Sequence, residues 1–200
     1  MTTKKNILIS GGCGVAKAAT EKFEREGWAV TAIGEPDSDI TDRVSLCEKI
    51  SRLENAGVLF DAALIVPGER LSTGFEQTDI AQWESLLKAW LGGTANICKA
   101  VAPKMIGRGR GCILIFCPDY KNSWEDNIMN ATAGHTLHGF AKSFGAEAAQ
   151  DGVRVNVLWA GLPFDSEAIA DMAHYLAAVD KYTAAGVVSI AAMDKEVSAG

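Results

Sequence analysis

The turn Ser10-Gly11-Gly12-Cys13-Gly14-Val15-Ala16 joins an apolar run to a helix-forming one. Backbone N–H groups and a helix N-terminus at such a turn could cradle a pyrophosphate. About 24 residues beyond Gly11, Glu35 closes the next apolar run, where a carboxylate could accept hydrogen bonds from an adenosine ribose. Glycines in a tight strand-to-helix turn can equally serve packing alone, and both readings stand at this point. His138 and Lys142, four residues apart, could form an acid/base pair or be ordinary polar positions on a helix. Cys117 could be a nucleophile, yet no base neighbours it in sequence, and a lone cysteine at a strand end reads equally as a small buried apolar group. His135 is weighed the same way. Asp119, Lys121, Glu125 and Asp126 read as a solvated charged loop.

The elements that must position these residues alternate. Ile7 to Ser10 predicts a strand, Val15 to Glu26 a helix ended by Gly27, Trp28 to Ile33 a strand, and Ile40 to Leu53 a helix capped by Thr41 or Asp42. The rhythm continues with a strand from Phe60 to Val66, a long helix from Ile80 to Met105, a strand from Cys112 to Cys117 and a helix from Asn127 to Gln150. It closes with a strand from Val153 to Leu158, a helix from Ser166 to Ala178 and a strand from Val187 to Ala191. Strands apolar on both faces that alternate with helices predict an α/β fold, a parallel sheet covered on each side. Ligands in such sheets bind at the carboxyl ends of the strands, so chemistry is expected in the loops after Ser10, Ile33, Val66, Cys117 and Leu158.

With 48% hydrophobic and 22% charged residues, the 200-residue chain reads as one globular domain spanning residues 1–200. A net charge of −6 opposes a broad phosphate-neutralising face, so no nucleic-acid partner is expected. Five cysteines without a CxxC or Cys/His cluster read as reduced thiols of a cytoplasmic protein, and no metal site is legible. The apolar run that ends at Ser10 is too short for a signal-peptide core or a membrane span, so no membrane association is expected.

Nearly the whole chain resembles the short-chain dehydrogenase/reductase family. Asp39-Ile40-Thr41-Asp42 is similar to that family's Asp-Val-Thr-Asp turn, whose first Asp meets the adenine amine. Phe60 to Gly68, Trp83 to Met105 with Pro103 near its end, and Gly111 to Phe116 follow the family's fourth strand, long interface helix and fifth strand. Gly139 to Glu147 followed by Gly152-Val-Arg-Val-Asn156-Val is the most specific match. The resemblance implies a Rossmann-like, doubly wound parallel sheet of about seven strands. It also implies vestigial cofactor positions at Gly11, Gly14, Glu35 and Asp39.

Family chemistry needs a Tyr, a Lys four residues later that lowers its pKa and holds the nicotinamide ribose, a Ser and an Asn. Aligned on Gly139-Phe140, these positions hold Asn130, Gly134, Cys117 and Trp90 respectively. Tyr120, Tyr175 and Tyr182 are followed four residues on by Trp124, Val179 and Gly186, so the chain has no Tyr-x-x-x-Lys. The diphosphate turn is one residue short and ends in Ala16, Asn-Asn-Ala-Gly has become Ile65-Val66-Pro67-Gly68, and the stretch from Gly161 to Leu176 leaves no room for a substrate lid. The resemblance therefore implies a catalytically inactive subunit that binds no cofactor itself. It would pair through the helices from Ile80 to Met105 and from Asn127 to Gln150 with an active, NAD-binding paralogue, in a hetero-oligomer that oxidises a hydroxyacyl-CoA. The tail from Asp194 to Gly200 would reach toward the partner's substrate entrance. Hydride transfer by unorthodox residues such as His138 and Lys142, and a nucleotide-sensing module, are the alternatives.

Overall fold

A computed structural model describes residues 4–12, 14–34, 39–68, 70–119, 128–179 and 185–190. Glu35, Cys13, the loop 120–127 and the tail 191–200 lie outside them. The strands are β1 (Asn6–Ser10), β2 (Ala29–Ile33), β3 (Ala62–Ile65), β4 (Gly111–Asp119), β5 (Val153–Gly161) and β6 (Val187–Ile190). The helices are α1 (Gly14–Arg25), α2 (Arg43–Asn55), α3 (Ile80–Leu87), α4 (Gly93–Gly107), α5 (Ile128–Ala148) and α6 (Ser166–Ala178). All strand pairs are parallel, in the order β2-β1-β3-β4-β5-β6. Among the described residues the sheet has six strands, where the resemblance implies about seven. From Ile33 the chain reaches α2 at Arg43, and so short a segment cannot hold another strand with its crossover helix.

Side chains along the central strands β1, β3, β4 and β5 alternate between two cores. Leu8, Ile113 and Ile115 face the layer of α2 to α5, whereas Ile7, Ile9 and Leu114 face α1 and α6. The chain winds one way from β1 to β2 and the other way from β3 onward, so the connections diverge between β1 and β3 and open a crevice at their carboxyl ends.

The helix expected from Ile80 to Met105 is two helices joined by a π-helical turn, Lys88–Gly92. Leu86, Trp90, Thr94, Cys98 and Ala102 are buried at a constant spacing of four. Gly93, Ile97, Val101 and Met105 are buried beside them, so one broad stripe of the two helices faces the core. Trp90 is thereby held fully inside the core. Between β5 and α6 stand only residues 162–165, with Asp165 as the α6 N-cap accepting from the Glu167 N–H at 2.9 Å. Phe164 in this short connection packs edge-on against Phe116 at 5.2 Å. Nothing among these residues forms a lid.

On the opposite face Lys22 of α1 bonds to Asp171 of α6 at 2.9 Å and to Glu26 at 3.0 Å. Below them His174 packs edge-on to Phe23 and Trp28, at 5.2 and 6.2 Å. Burial there holds the His174 pKa below its usual 6.5, with Lys22 and Lys5 adding to the effect while Glu26 and Asp171 oppose it. A histidine whose pKa is lower folded than unfolded makes the unfolded state bind more protons in the window between the two values. Stability should therefore fall as pH drops from 7 through about 6.5 toward the folded pKa. His174→Phe should flatten that segment of the urea-midpoint profile, and an unchanged slope would exclude His174 as its source.

Candidate functional site

At the carboxyl ends of β1, β2 and β3 the backbone crosses itself at close quarters. The Gly11 N–H donates to the Ile33 carbonyl at 3.0 Å, and the Val66 N–H donates to Ser10 Oγ at 3.3 Å. Gly11 has φ +101°, and a Cβ there would stand 3.0 Å from the Val66 carbonyl oxygen. A side chain at this position would be strained by its backbone and would also push the ends of β1 and β3 apart. Beside this crossing lies a cleft of about 710 Å³, within the range of small-molecule sites.

Gly11 and Asp39 line the cleft, as the sequence leads one to expect, and Ile40, Val66, Arg70 and Ala89 line it with them. Gly14 does not. It begins α1, and a Cβ there would lie 3.3 Å from Ser166 Oγ, so the heads of α1 and α6 abut each other. Glu35 falls outside the described residues. The Asp39 carboxylate accepts from the Thr41 N–H at 2.8 Å and from Thr41 Oγ1 at 2.9 Å, which lowers its pKa, and the nearby Lys88 lowers it further. Asn96 of α4 fastens the same turn from beneath, donating to the Ile40 and Thr41 carbonyls at 3.1 and 3.4 Å. Gly93 admits the turn's side chain, since a Cβ there would meet Ile40 Cδ1 at 2.7 Å. Neither Asn96 nor the contribution of Arg70 was legible beforehand, because no spacing rule ties them to the glycine turn.

The four positions that the resemblance assigns to the family's chemistry, Asn130, Gly134, Cys117 and Trp90, are absent from the described lining of the cleft. Asn130, in the first turns of α5, is fully buried. Its Nδ2 donates to the Leu71 carbonyl at 2.8 Å and its Oδ1 accepts from the Leu71 N–H at 3.0 Å. The carboxamide thus pairs with the backbone of the loop after β3 as a neighbouring strand would, and pins that loop against α5. One turn on, Gly134 is buried, and its carbonyl accepts from Cys117 Sγ at 3.5 Å. Burial drives the Cys117 thiol far above its ordinary pKa, the opposite of what a nucleophile needs. Trp90 fills the core on the same side of the sheet.

His138 is half-buried with its ring 5.7 Å from that of Trp159, Lys142 is exposed, and neither lines the cleft. His135 also rests on Trp159, at 5.2 Å, and its Nδ1 lies 2.8 Å from the Ala131 carbonyl oxygen. Among the described residues no group of three or more His, Cys, Asp or Glu could hold a metal ion, and no helix is long and apolar enough to cross a membrane.

Two outcomes follow from this geometry. Asn130→Ala removes both partners of the Leu71 backbone and should cost about 2–3 kcal/mol of stability, with faster amide exchange at Leu71. An iodoacetamide pulse at pH 8 followed by peptide mapping should leave Cys117 and Cys98 unlabelled in the native protein while the partly exposed Cys47 reacts. Labelling of native Cys117 would restore it as a candidate nucleophile.

The family model for short chain dehydrogenases matches residues 53–172. Nodulation protein G of Azospirillum brasilense is 27% identical over 172 residues, 77% of this chain, which spans 66% of that protein's length. An oxidoreductase of the short chain dehydrogenase/reductase family from Burkholderia thailandensis superposes with a TM-score of 0.85 at 22% identity, over 95% of this chain and 92% of the other. A 3-oxoacyl-[acyl-carrier protein] reductase from Brucella melitensis with bound NAD superposes with a TM-score of 0.78 at 19% identity, over 95% and 91%. At these identities the structural likeness speaks for the fold alone. The family model, however, reaches from the last turn of α2 into α6 and spans more than half of the sequence, and the chain accordingly belongs to the short-chain dehydrogenase/reductase family.

Proposed function

We propose that this chain is a catalytically silent subunit that assembles with, and supports, an active NAD-dependent dehydrogenase of the same family. The observation that carries the reading is Asn130. At the position of the proton-transferring tyrosine stands a buried carboxamide whose donor and acceptor are both engaged by Leu71, and a carboxamide has no titrating proton to exchange near neutral pH. Gly134 provides no ammonium, buried Cys117 no substrate-facing hydroxyl, and the direct passage from β5 to α6 no cover to exclude water. NAD would be held by the partner. The pattern of losses is like that of the inactive subunit of the heterotetrameric 2-[hydroxy(phenyl)methyl]succinyl-CoA dehydrogenase of anaerobic toluene degradation, so a hydroxyacyl-CoA is the substrate we assign to the partner complex, in the cytoplasm.

The surfaces proposed for assembly are the outer faces of α3, α4 and α5. Several residues that look available in the sequence, among them Leu86, Trp90, Gly93 and Ile97, serve the chain's own core. Trp83, Leu87, Leu91 and Ala95 are half-buried and remain for a partner. Gly139 is informative, because it is exposed in the middle of α5 and a Cβ there would meet nothing within 4 Å. A glycine in an exposed helix interior costs about 1 kcal/mol relative to alanine, and a closely approaching partner helix gives a reason to retain it.

Purified alone, the chain should show no NAD-dependent oxidation of hydroxyacyl-CoA substrates, and turnover by the chain alone would refute the proposal. Co-expressed with the active paralogue it should copurify. Gly139→Trp should abolish copurification while leaving the melting temperature of the isolated chain unchanged or higher. A second reading, a nucleotide-binding module, is favoured by one observation only, the open cleft beside Asp39.

A further inference from the structure

A nicotinamide dinucleotide has three parts to seat: an adenosine, a diphosphate and a nicotinamide riboside. The family pattern implies that the last is held beside the lysine four residues after the tyrosine. Here both positions, Asn130 and Gly134, are buried, and Leu71 is clamped over the first. The diphosphate is the part that the N-terminus of α1 would hold, through its backbone N–H groups. In this chain that end of α1 has a neighbour. α1 and α6 lie side by side with their N-termini at the same end, meeting at Gly14 and Ser166, at Lys22 and Asp171, and at Phe23 and His174. A Cβ on Gly14 would stand 3.3 Å from Ser166 Oγ. One residue before Ser166, the Asp165 carboxylate caps α6 by accepting from the Glu167 N–H at 2.9 Å. The cleft agrees with this arrangement, since Gly11 and Gly12 line it and Gly14 does not. The head of α6 is set there by the short connection 162–165, within which Phe164 packs edge-on against Phe116 at 5.2 Å.

We infer that the head of α6 takes the seat on α1 that a diphosphate needs, and that this chain consequently holds no NAD. A phosphate brought to the first turn of α1 meets the Ser166 hydroxyl and, beside it, the carboxylate of Asp165, whose charge has the same sign as its own. The contacts of Lys22 and Phe23 with α6 fasten the two helices further along, so moving the head of α6 aside would disturb those as well. The inference goes beyond the silent-subunit reading, because a chain without a proton donor can still bind a dinucleotide.

Calorimetric titration of the full chain with NAD, ADP and adenosine tests it, with melting temperatures read in parallel. The phosphates should add nothing, so that NAD and ADP bind no more tightly than adenosine. The double variant Asp165→Asn/Ser166→Gly removes the charge and the hydroxyl while keeping a side chain that caps α6, and it should raise the affinity for ADP about tenfold over the unchanged chain. Asp165→Asn alone should give a smaller gain in the same direction. NAD or ADP binding to the unchanged chain more tightly than adenosine, or variants that bind ADP no better than the unchanged chain, would overturn the inference. The two proposals fail separately. Dinucleotide binding without turnover removes this one and leaves the silent subunit, whereas failure to copurify with the active paralogue, with no NAD bound, removes the assembly reading and leaves this one.

Discussion

A carboxamide buried at the head of a helix must find partners for both its N–H and its C=O, and Asn130 finds both on one backbone residue, Leu71. That pairing organises everything around it. It draws the loop after β3 down onto α5, and the cleft that remains ends at Arg70 and Leu71. Where a tyrosine would present a hydroxyl to a substrate, the amide closes the space and satisfies itself. The neighbouring contacts follow suit, with the Cys117 thiol turned to the Gly134 carbonyl and Trp90 filling the core on the same side of the sheet.

The other half of the crevice is held by a different set of contacts. Gly11 sits where three strand ends converge, bonded to Ile33 and pressed against Val66. The Asp39 turn is fastened by Thr41 from within and by Asn96 from α4. These contacts shape one side of the cleft, and the pinned loop completes the other with Gly68, Arg70 and Leu71.

Much of this was legible in the residue pattern. Apolar runs without alternation marked the central strands buried on both faces, and Gly27 and Asp42 marked helix ends that the structure places within a residue or two. The absence of a Tyr-x-x-x-Lys needed no coordinates at all. Other features were not legible. The long helix is interrupted by a π-helical turn at Lys88–Gly92, which the helical spacing of its apolar residues does not reveal. Gly93 makes room for Ile40, a contact between residues more than fifty positions apart.

The sequence alone determined the class of fold, the sense of the sheet and the absence of a Tyr-x-x-x-Lys, because these depend on local periodicity and on which functional groups exist anywhere in the chain. Only the tertiary structure decided that the sheet has six strands among the described residues, that Asn130 pins the loop after β3 at Leu71 and that Asp39 and Arg70 line one cleft. The physical reason is that a hydrogen bond between Asn130 and Leu71, or a cleft between the ends of β1 and β3, exists only once distant segments have been brought within reach, and no local pattern records which distant partner a buried polar group will take.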